Sequence, residues 1–268
     1  MLGAVLGDIV GSRFEWNNIK STNFHLLTPE CRITDDSVMT LAVAKAVYRV
    51  KNGQAAREAL GEEAVHWMRA FGNRWAKGCY GGRFAQWLKS GEPHPYGSFG
   101  NGSAMRVSAC AWAGDSLEDT LDMARRVTEV THDHPEGIKG AEAVAEAIWM
   151  ARAGQSKASI RSALEQKYYL LDFTLHAIRP TYRFDVSCQG SVPQALCAFL
   201  ESSDYESAVR NAVSLGGDSD TLAAMAGSVA EAAYGIPEYL REETLIRLPQ
   251  ELQTVVREFE LLCPARIV

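Results

Sequence analysis

Helical spacing of apolar residues is the feature that most limits what this sequence can fold into. Val38, Leu41, Ala42 and Tyr48 fall on one helix face, interrupted only by Lys45. Leu117, Leu121, Ala124, Val127 and Val130 mark a second stripe. Ala141, Val144, Ala145, Ile148 and Trp149 mark a third, and Leu222, Met225, Ala226, Val229 and Ala233 a fourth. Repeats of three and four residues are the signature of helices with one buried face. β-Branched runs of period two are nearly absent, so a sheet has little to be built from. Pro29, Pro93, Pro95, Pro135, Pro180, Pro193, Pro237 and Pro249 are expected near helix edges, and the glycine-rich stretches 78–82 and 97–102 as loops. No linker, repeat or low-complexity segment divides the chain. The expectation is an all-α, compact single-domain helical bundle spanning residues 1–268.

Composition bounds the function more loosely. A chain of 268 residues with 47% hydrophobic content can bury a core without disulfides or structural metal. A net charge of −6 and a pI near 5.6 argue against a general nucleic-acid or anionic-membrane binder. Cys31, Cys79, Cys110, Cys188, Cys197 and Cys263 form no CxxC pair, which favours reduced, buried thiols and a cytoplasmic protein. The apolar start MLGAVLG lacks a basic region and meets Asp8 at once, so it reads as a buried first helix and not as a signal peptide. No run of about 18 apolar residues predicts a membrane span. GxSxG, GxxxxGK[ST] and a strand-borne GxGxxG are all missing, which removes the usual nucleophile-elbow and nucleotide-loop folds.

Chemistry concentrates in two acidic clusters, each directly before an apolar helical stripe: Thr34-Asp35-Asp36-Ser37 and Gly217-Asp218-Ser219-Asp220-Thr221. Helix capping explains part of this, since Asp, Ser and Thr satisfy the free N–H groups of a first turn. One cap needs one side chain, however, and each cluster supplies two carboxylates and a hydroxyl. Carboxylates about 4–5 Å apart repel by roughly 3–4 kcal/mol at an effective dielectric near 20. Water relieves that repulsion; a pocket does so only with cations present or with raised pKa values. Hard oxygen donors of this kind suit Mg²⁺, Mn²⁺ or Ca²⁺ and not Zn²⁺.

Five segments, GDIVGSRFE, TDDS, SFGNGSAMRVS, THDHP and LGGDSDTLAAMAGSVAEAAYG, appear in the order seen in ADP-ribosylglycohydrolases. The chain resembles that family from about residue 1 to 235. No single motif is decisive, but five in order, with the acidic pairs 183 positions apart, are specific. The resemblance implies an all-α fold around two Mg²⁺ (or Mn²⁺) ions. Thr34, Asp35 and Asp36 would ligate from one helix start, and Asp218, Asp220 and Thr221 from the other. Asp8 would support that shell rather than join it. The loop Gly97-Ser98-Phe99-Gly100-Asn101-Gly102-Ser103 would take the diphosphate and inner ribose, its glycines letting N–H groups approach phosphate oxygens ahead of a helix start. His132 would lie near the adenosine half, and Gly78-Cys79-Tyr80-Gly81-Gly82 at the rim. Arg106 is expected to pair with an acid rather than face a phosphate, and His134 to serve a helix start.

The activity so implied is hydrolysis of the glycosidic bond between ADP-ribose and an acceptor, either a protein side chain or a small molecule. It would pass through an oxocarbenium-like state. Glu15 is the candidate for accepting a proton or positioning the acceptor group, with Asp36 as the alternative base. The resemblance also implies a monomer. Two rival readings accompany it: another metal-dependent nucleotide or phosphate-ester hydrolase, and a non-catalytic, crystallin-like or ADP-ribose-binding relative.

Overall fold

Every residue of the first helix, α1 (Leu2–Gly11), is buried, as the apolar start of the sequence leads one to expect. A computed structural model describes residues 1–268 and contains fourteen α-helices. After α1 these are α2 (Asp35–Lys51), α3 (Leu60–Gly72), α4 (Gly82–Lys89), α5 (Ser108–Ala113), α6 (Leu117–Glu129), α7 (Pro135–Arg152), α8 (Lys157–Lys167), α9 (Leu175–Ile178), α10 (Cys188–Leu200), α11 (Tyr205–Ser214), α12 (Ser219–Tyr234), α13 (Glu238–Arg247) and α14 (Gln250–Leu262). No strand forms; only two isolated bridges occur, Gly100 with Ser187 and Ile236 with Ile267. All fourteen helices feed one contiguous apolar cluster, so the chain has a single core. The fold is therefore the all-α bundle expected.

The centre of that core is the crossing of α1 and α12. Gly3, Gly7 and Gly11 recur every four residues and turn one face of α1 into bare backbone. A Cβ at Gly3 would lie 2.5 Å from the Gly227 carbonyl, and one at Gly11 would lie 2.5 Å from Asp220 Cα. A Cβ at Gly7 would overlap the Ala223 carbonyl. Only glycine allows two helix backbones to meet this closely. On its other faces α1 buries Leu2, Val5, Leu6, Ile9 and Val10, each contributing about 1.5–3 kcal/mol of transfer free energy. The crossing has a consequence for chemistry, because α1 carries Asp8 and the start of α12 carries Asp218 and Asp220.

Around this pair lie α2, α7, α10 and α11, with α14 closing over α2. Lys45, the polar break in the α2 stripe, reaches out to Glu258 of α14 and so ends in an ion pair. His134 caps α7 by accepting from the Glu136 N–H at 3.1 Å, and Pro135 follows at the first helical position. Pro193 departs from expectation. It lies inside α10, whose start is capped instead by Ser187, and its ring removes one internal hydrogen bond from a helix held in place by packing. All six cysteines are free, and no helix is long and apolar enough to cross a membrane.

Candidate metal centre and ligand cavity

At the start of α2 the capping work is done by Thr34, whose Oγ1 accepts from the Asp36 N–H at 3.3 Å, and by Asp8, which accepts from the Ser37 N–H at 3.0 Å. Both carboxylates of the first cluster are thereby released from that task. At the start of α12, Gly216 and Gly217 adopt φ of +66° and +71°, a left-handed turn that side-chain-bearing residues resist. This turn delivers Asp218, whose carboxylate makes no capping bond and instead accepts from Asn101 Nδ2 at 2.7 Å. Asn18 braces the same turn, accepting from the Gly217 N–H at 2.7 Å and donating to its carbonyl at 2.9 Å.

The two helix starts meet. Thr221 Oγ1 donates to Asp36 Oδ2 at 3.1 Å. Oxygens of Asp8, Asp36 and Asp220 lie within 4.8 Å of one another, as do those of Glu15, Asp218 and Asp220. Asp220 belongs to both triads. Asp8 sits in the first triad but is already saturated. It accepts from the Thr34 N–H at 2.9 Å, Thr34 Oγ1 at 2.6 Å and the Ser37 N–H at 3.0 Å, and also from Ser37 Oγ. It therefore fixes the start of α2, as expected, and has little lone-pair capacity to spare. Thr34, with its hydroxyl turned to Asp8, lies beneath the cavity rather than on its wall. Asp35 lines the wall without joining either triad.

Burial raises the pKa of all six carboxylates, most strongly those of Asp35, Asp36 and Asp220. After burial, the groups acting most on Asp36 are Asp8, Asp35 and Asp218, and on Asp220 they are Asp36, Asp218 and Asp8. Around Asp36 and Asp220 carboxylates thus press on carboxylates, with no cation among the groups that act on them most. Asp36 Oδ1 is buried without any hydrogen-bond partner. An orphaned, ionisable oxygen among converging carboxylates fits a hard divalent cation.

Above this cluster opens a cavity of about 490 Å³. Glu15, Asp35, Asp36, Asp218, Asp220 and Thr221 form its floor, and Ser98, Gly100, Asn101 and Gly102 form a side. The remaining loop residues do other work. Gly97, at φ +64°, donates its N–H to Asp133 at 2.7 Å. Phe99 is exposed and packs edge-on against His134. Ser103 is buried and donates to the Gly137 carbonyl at 2.8 Å. The loop does not run straight into a helix as expected: its last three residues, Asn101–Ser103, form a single 3₁₀ turn, and α5 begins only at Ser108. Tyr80 and its glycine neighbours line the rim, and His132 lines the far end.

Two features escape sequence reading. Arg106 pairs with no acid. Fully buried, it donates to the Val127 carbonyl at 3.1 Å and to Thr131 Oγ1 at 2.7 Å. The chain around it simply offers no carboxylate at guanidinium distance, which a local reading of charge could not reveal. The mouth is framed by Trp16 and Phe184, whose rings stack with centroids 5.3 Å apart. These rings come from loops far apart in sequence, and no local pattern announces their meeting.

An all-α core whose two acidic helix starts converge under a glycine-rich loop defines a class: helical proteins with a carboxylate-floored ligand cavity. The chain belongs to the ADP-ribosylglycohydrolase family, whose family model matches residues 1–265. Among curated relatives, ADP-ribosylhydrolase ARH3 of Homo sapiens is 29% identical over 188 residues, covering 53% of this chain and 52% of the human protein. The match thus spans about half the length of that relative. ADP-ribosylhydrolase ARH3 of Mus musculus is 27% identical, covering 96% of this chain and 91% of the mouse protein. ADP-ribosylarginine hydrolase Tri1 of Pseudomonas putida (strain GB-1) is 24% identical, covering 96% and 76%. A solved ADP-ribosylglycohydrolase-related protein complex shares the fold, with a TM-score of 0.66 at 23% identity over 97% of this chain and 95% of that one.

Proposed function

We propose that this chain hydrolyses the glycosidic bond between ADP-ribose and an acceptor, using two Mg²⁺ or Mn²⁺ ions held by its convergent helix starts. One observation carries the reading: carboxylates from positions 36 and 220 share a triad on the floor of a cavity whose side is the loop 98–102. Family membership and the relatives' names support the ADP-ribosyl chemistry.

In this reading Thr34, Asp35, Asp36, Asp218, Asp220 and Thr221 would hold the ions, with the Thr34 hydroxyl also tied to Asp8. Bound divalent cations supply charge neutralisation, orientation of hydroxyl oxygens and a lowered water pKa. The residues of the chain do the rest. Asp8 holds the start of α2 rigid through its four accepted hydrogen bonds. Asn101 orients the Asp218 carboxylate while its loop cradles the diphosphate and inner ribose. His132, whose Nε2 lies beside Gly100 and Gly102, sits where the diphosphate passes toward the adenosine half.

Glu15 stands half-buried between the Asp218 and Asp220 carboxylates and the Trp16–Phe184 mouth. Burial and Asp218 raise its pKa, which suits a group that accepts a proton or holds the acceptor. Asp36 is the alternative base, since its Oδ1 is free of hydrogen bonds.

ADP-ribosyl-arginine and ADP-ribosyl-serine peptides, incubated with Mg²⁺, Mn²⁺ or EDTA, test the proposal by product analysis. Free ADP-ribose, formed only with metal and lost in Asp218→Ala, sustains it. AMP or phosphate as product would establish the phosphohydrolase instead. Tight binding of ADP-ribose without release would establish the non-catalytic relative.

A further inference from the structure

The far end of the cavity holds a buried cation that no protein anion neutralises. Arg106 is 1% exposed, and its Nε has no hydrogen-bond partner. Its pKa falls only to about 10 on burial, so it stays charged at neutral pH. An isolated buried charge is costly, and proteins retain one where something compensates it.

From Arg106 a chain of hydrogen bonds leads to the cavity. Its Nη2 donates to Thr131 Oγ1 at 2.7 Å, and that hydroxyl lies 2.7 Å from His132 Nδ1. The only other acceptor in reach of the Thr131 proton is the Thr128 carbonyl, at a marginal 3.5 Å. A hydroxyl accepting from a guanidinium is polarised and becomes a stronger donor. Its proton is therefore best placed on His132 Nδ1, and the imidazole must then carry its own proton on Nε2. Burial, Arg106 and Arg83 all disfavour the imidazolium, so the ring is neutral. Nε2 faces the inner side of the glycine loop: a Cβ on Gly102 would lie 3.4 Å from it, and one on Gly100 3.6 Å.

We propose that Arg106 and Thr131 are positioning residues that lock His132 as an Nε2–H donor aimed at a diphosphate oxygen in the Gly100–Gly102 loop, with the Arg106 charge balancing the bound anion. The inference rests on the proposed function for the identity of the ligand, but not for the tautomer. It explains together the absence of an acid beside Arg106, the direct step from Thr131 to His132, and the two glycines opposite Nε2. Neither Arg106 nor Thr131 needs to touch the ligand.

Long-range ¹H–¹⁵N spectra of the full-length protein report the tautomer, and calorimetry with ADP-ribose and with adenosine reports the contact. The wild type should show His132 protonated on Nε2 alone. Thr131→Val should mix or reverse the tautomer and weaken ADP-ribose about tenfold or more. Adenosine, which lacks the diphosphate, should bind the variant as it binds the wild type. Thr131→Ser, which keeps the hydroxyl, should restore both tautomer and affinity. A wild-type ring protonated on Nδ1 or on both nitrogens overturns the relay whatever the ligand. So does a folded Thr131→Val that binds ADP-ribose normally, or one that loses adenosine equally. If the wild type shows the Nε2–H tautomer yet binds no ADP-ribose, the proposed function fails and takes the ligand assignment with it.

Discussion

Thr221 Oγ1 donates to Asp36 Oδ2 at 3.1 Å, although the two residues stand 185 positions apart. The bond marks where the start of α12 meets the start of α2, and its existence depends on α1. That helix presses its glycine face on α12 and holds α2 through Asp8, so one short segment positions both acidic clusters.

Stability should depend on pH and metal in opposite senses. Asp35, Asp36 and Asp220 titrate well above 3.8 in the folded protein. Above that value the unfolded chain has released protons that the native state still holds, so native stability falls as pH rises through the folded values. Metal-free protein should therefore melt highest in the acid part of its folding range and lower at neutral pH. Mg²⁺ or Mn²⁺ replaces those protons, so its stabilising effect should grow with pH. At a hundredfold excess over Kd it should reach about 2.7 kcal/mol, or roughly 5 °C or more in Tm. Thermal melts across pH 5–8, with and without metal, check both slopes.

Two aspartates of one triad should respond to substitution with opposite signs. Asp36→Asn removes a carboxylate whose Oδ1 has no partner, and it should stabilise the metal-free protein by about 1–3 kcal/mol while abolishing metal binding. Asp8→Ala strands the buried Thr34 and Ser37 donors, and it should destabilise by about 2–4 kcal/mol. Urea unfolding of the two variants without metal reads the sign directly.

Gly11→Ala should damage the site without touching a carboxylate. Its new Cβ would press on Asp220 Cα, forcing α1 and α12 apart at the level of the shared ligand. We expect a loss of about 1–3 kcal/mol in stability and a larger proportional loss of metal affinity. Gly53→Ala serves as the control, because a Cβ there meets nothing within 4 Å. Although its left-handed φ carries a local strain, that variant should keep normal metal affinity.

Glu15→Gln should separate chemistry from binding. Its carboxyl shares the second triad but comes from a loop rather than a helix start. Turnover should fall about a hundredfold or more, as for loss of a general base, while the stoichiometry of bound Mn²⁺ is preserved. Single-turnover kinetics paired with a metal titration distinguish the two effects.

How much of this was legible beforehand follows the range of the interactions. Helices, caps and loops depend on neighbours a few positions away, so the stripe of α2, the cap role of His134 and the acidic helix starts could be read directly. The supporting role of Asp8 came with the family resemblance and not from any local spacing. Pro193 misled because a proline's local preference was overridden by the packing of α10. Arg106 misled because charge pairing depends on what the fold brings near, and here it brings a threonine and a carbonyl. The bond from Asn101 to Asp218 and the stack of Trp16 on Phe184 join distant segments, and no local spacing encodes them. The Gly3, Gly7 and Gly11 face of α1 was not read from the sequence, because its meaning depends on the partner helix.

The central claim is that two helix ends, brought together by α1, enclose a pair of divalent cations. Crystals of the protein soaked in Mn²⁺, with anomalous difference maps at the manganese edge, test it most directly. The account predicts two peaks on the cavity floor, one among the oxygens around Asp36 and one beside Glu15 and Asp218, with Asp220 touching both. A floor without peaks at saturating Mn²⁺, or peaks bound only elsewhere on the molecule, would contradict it.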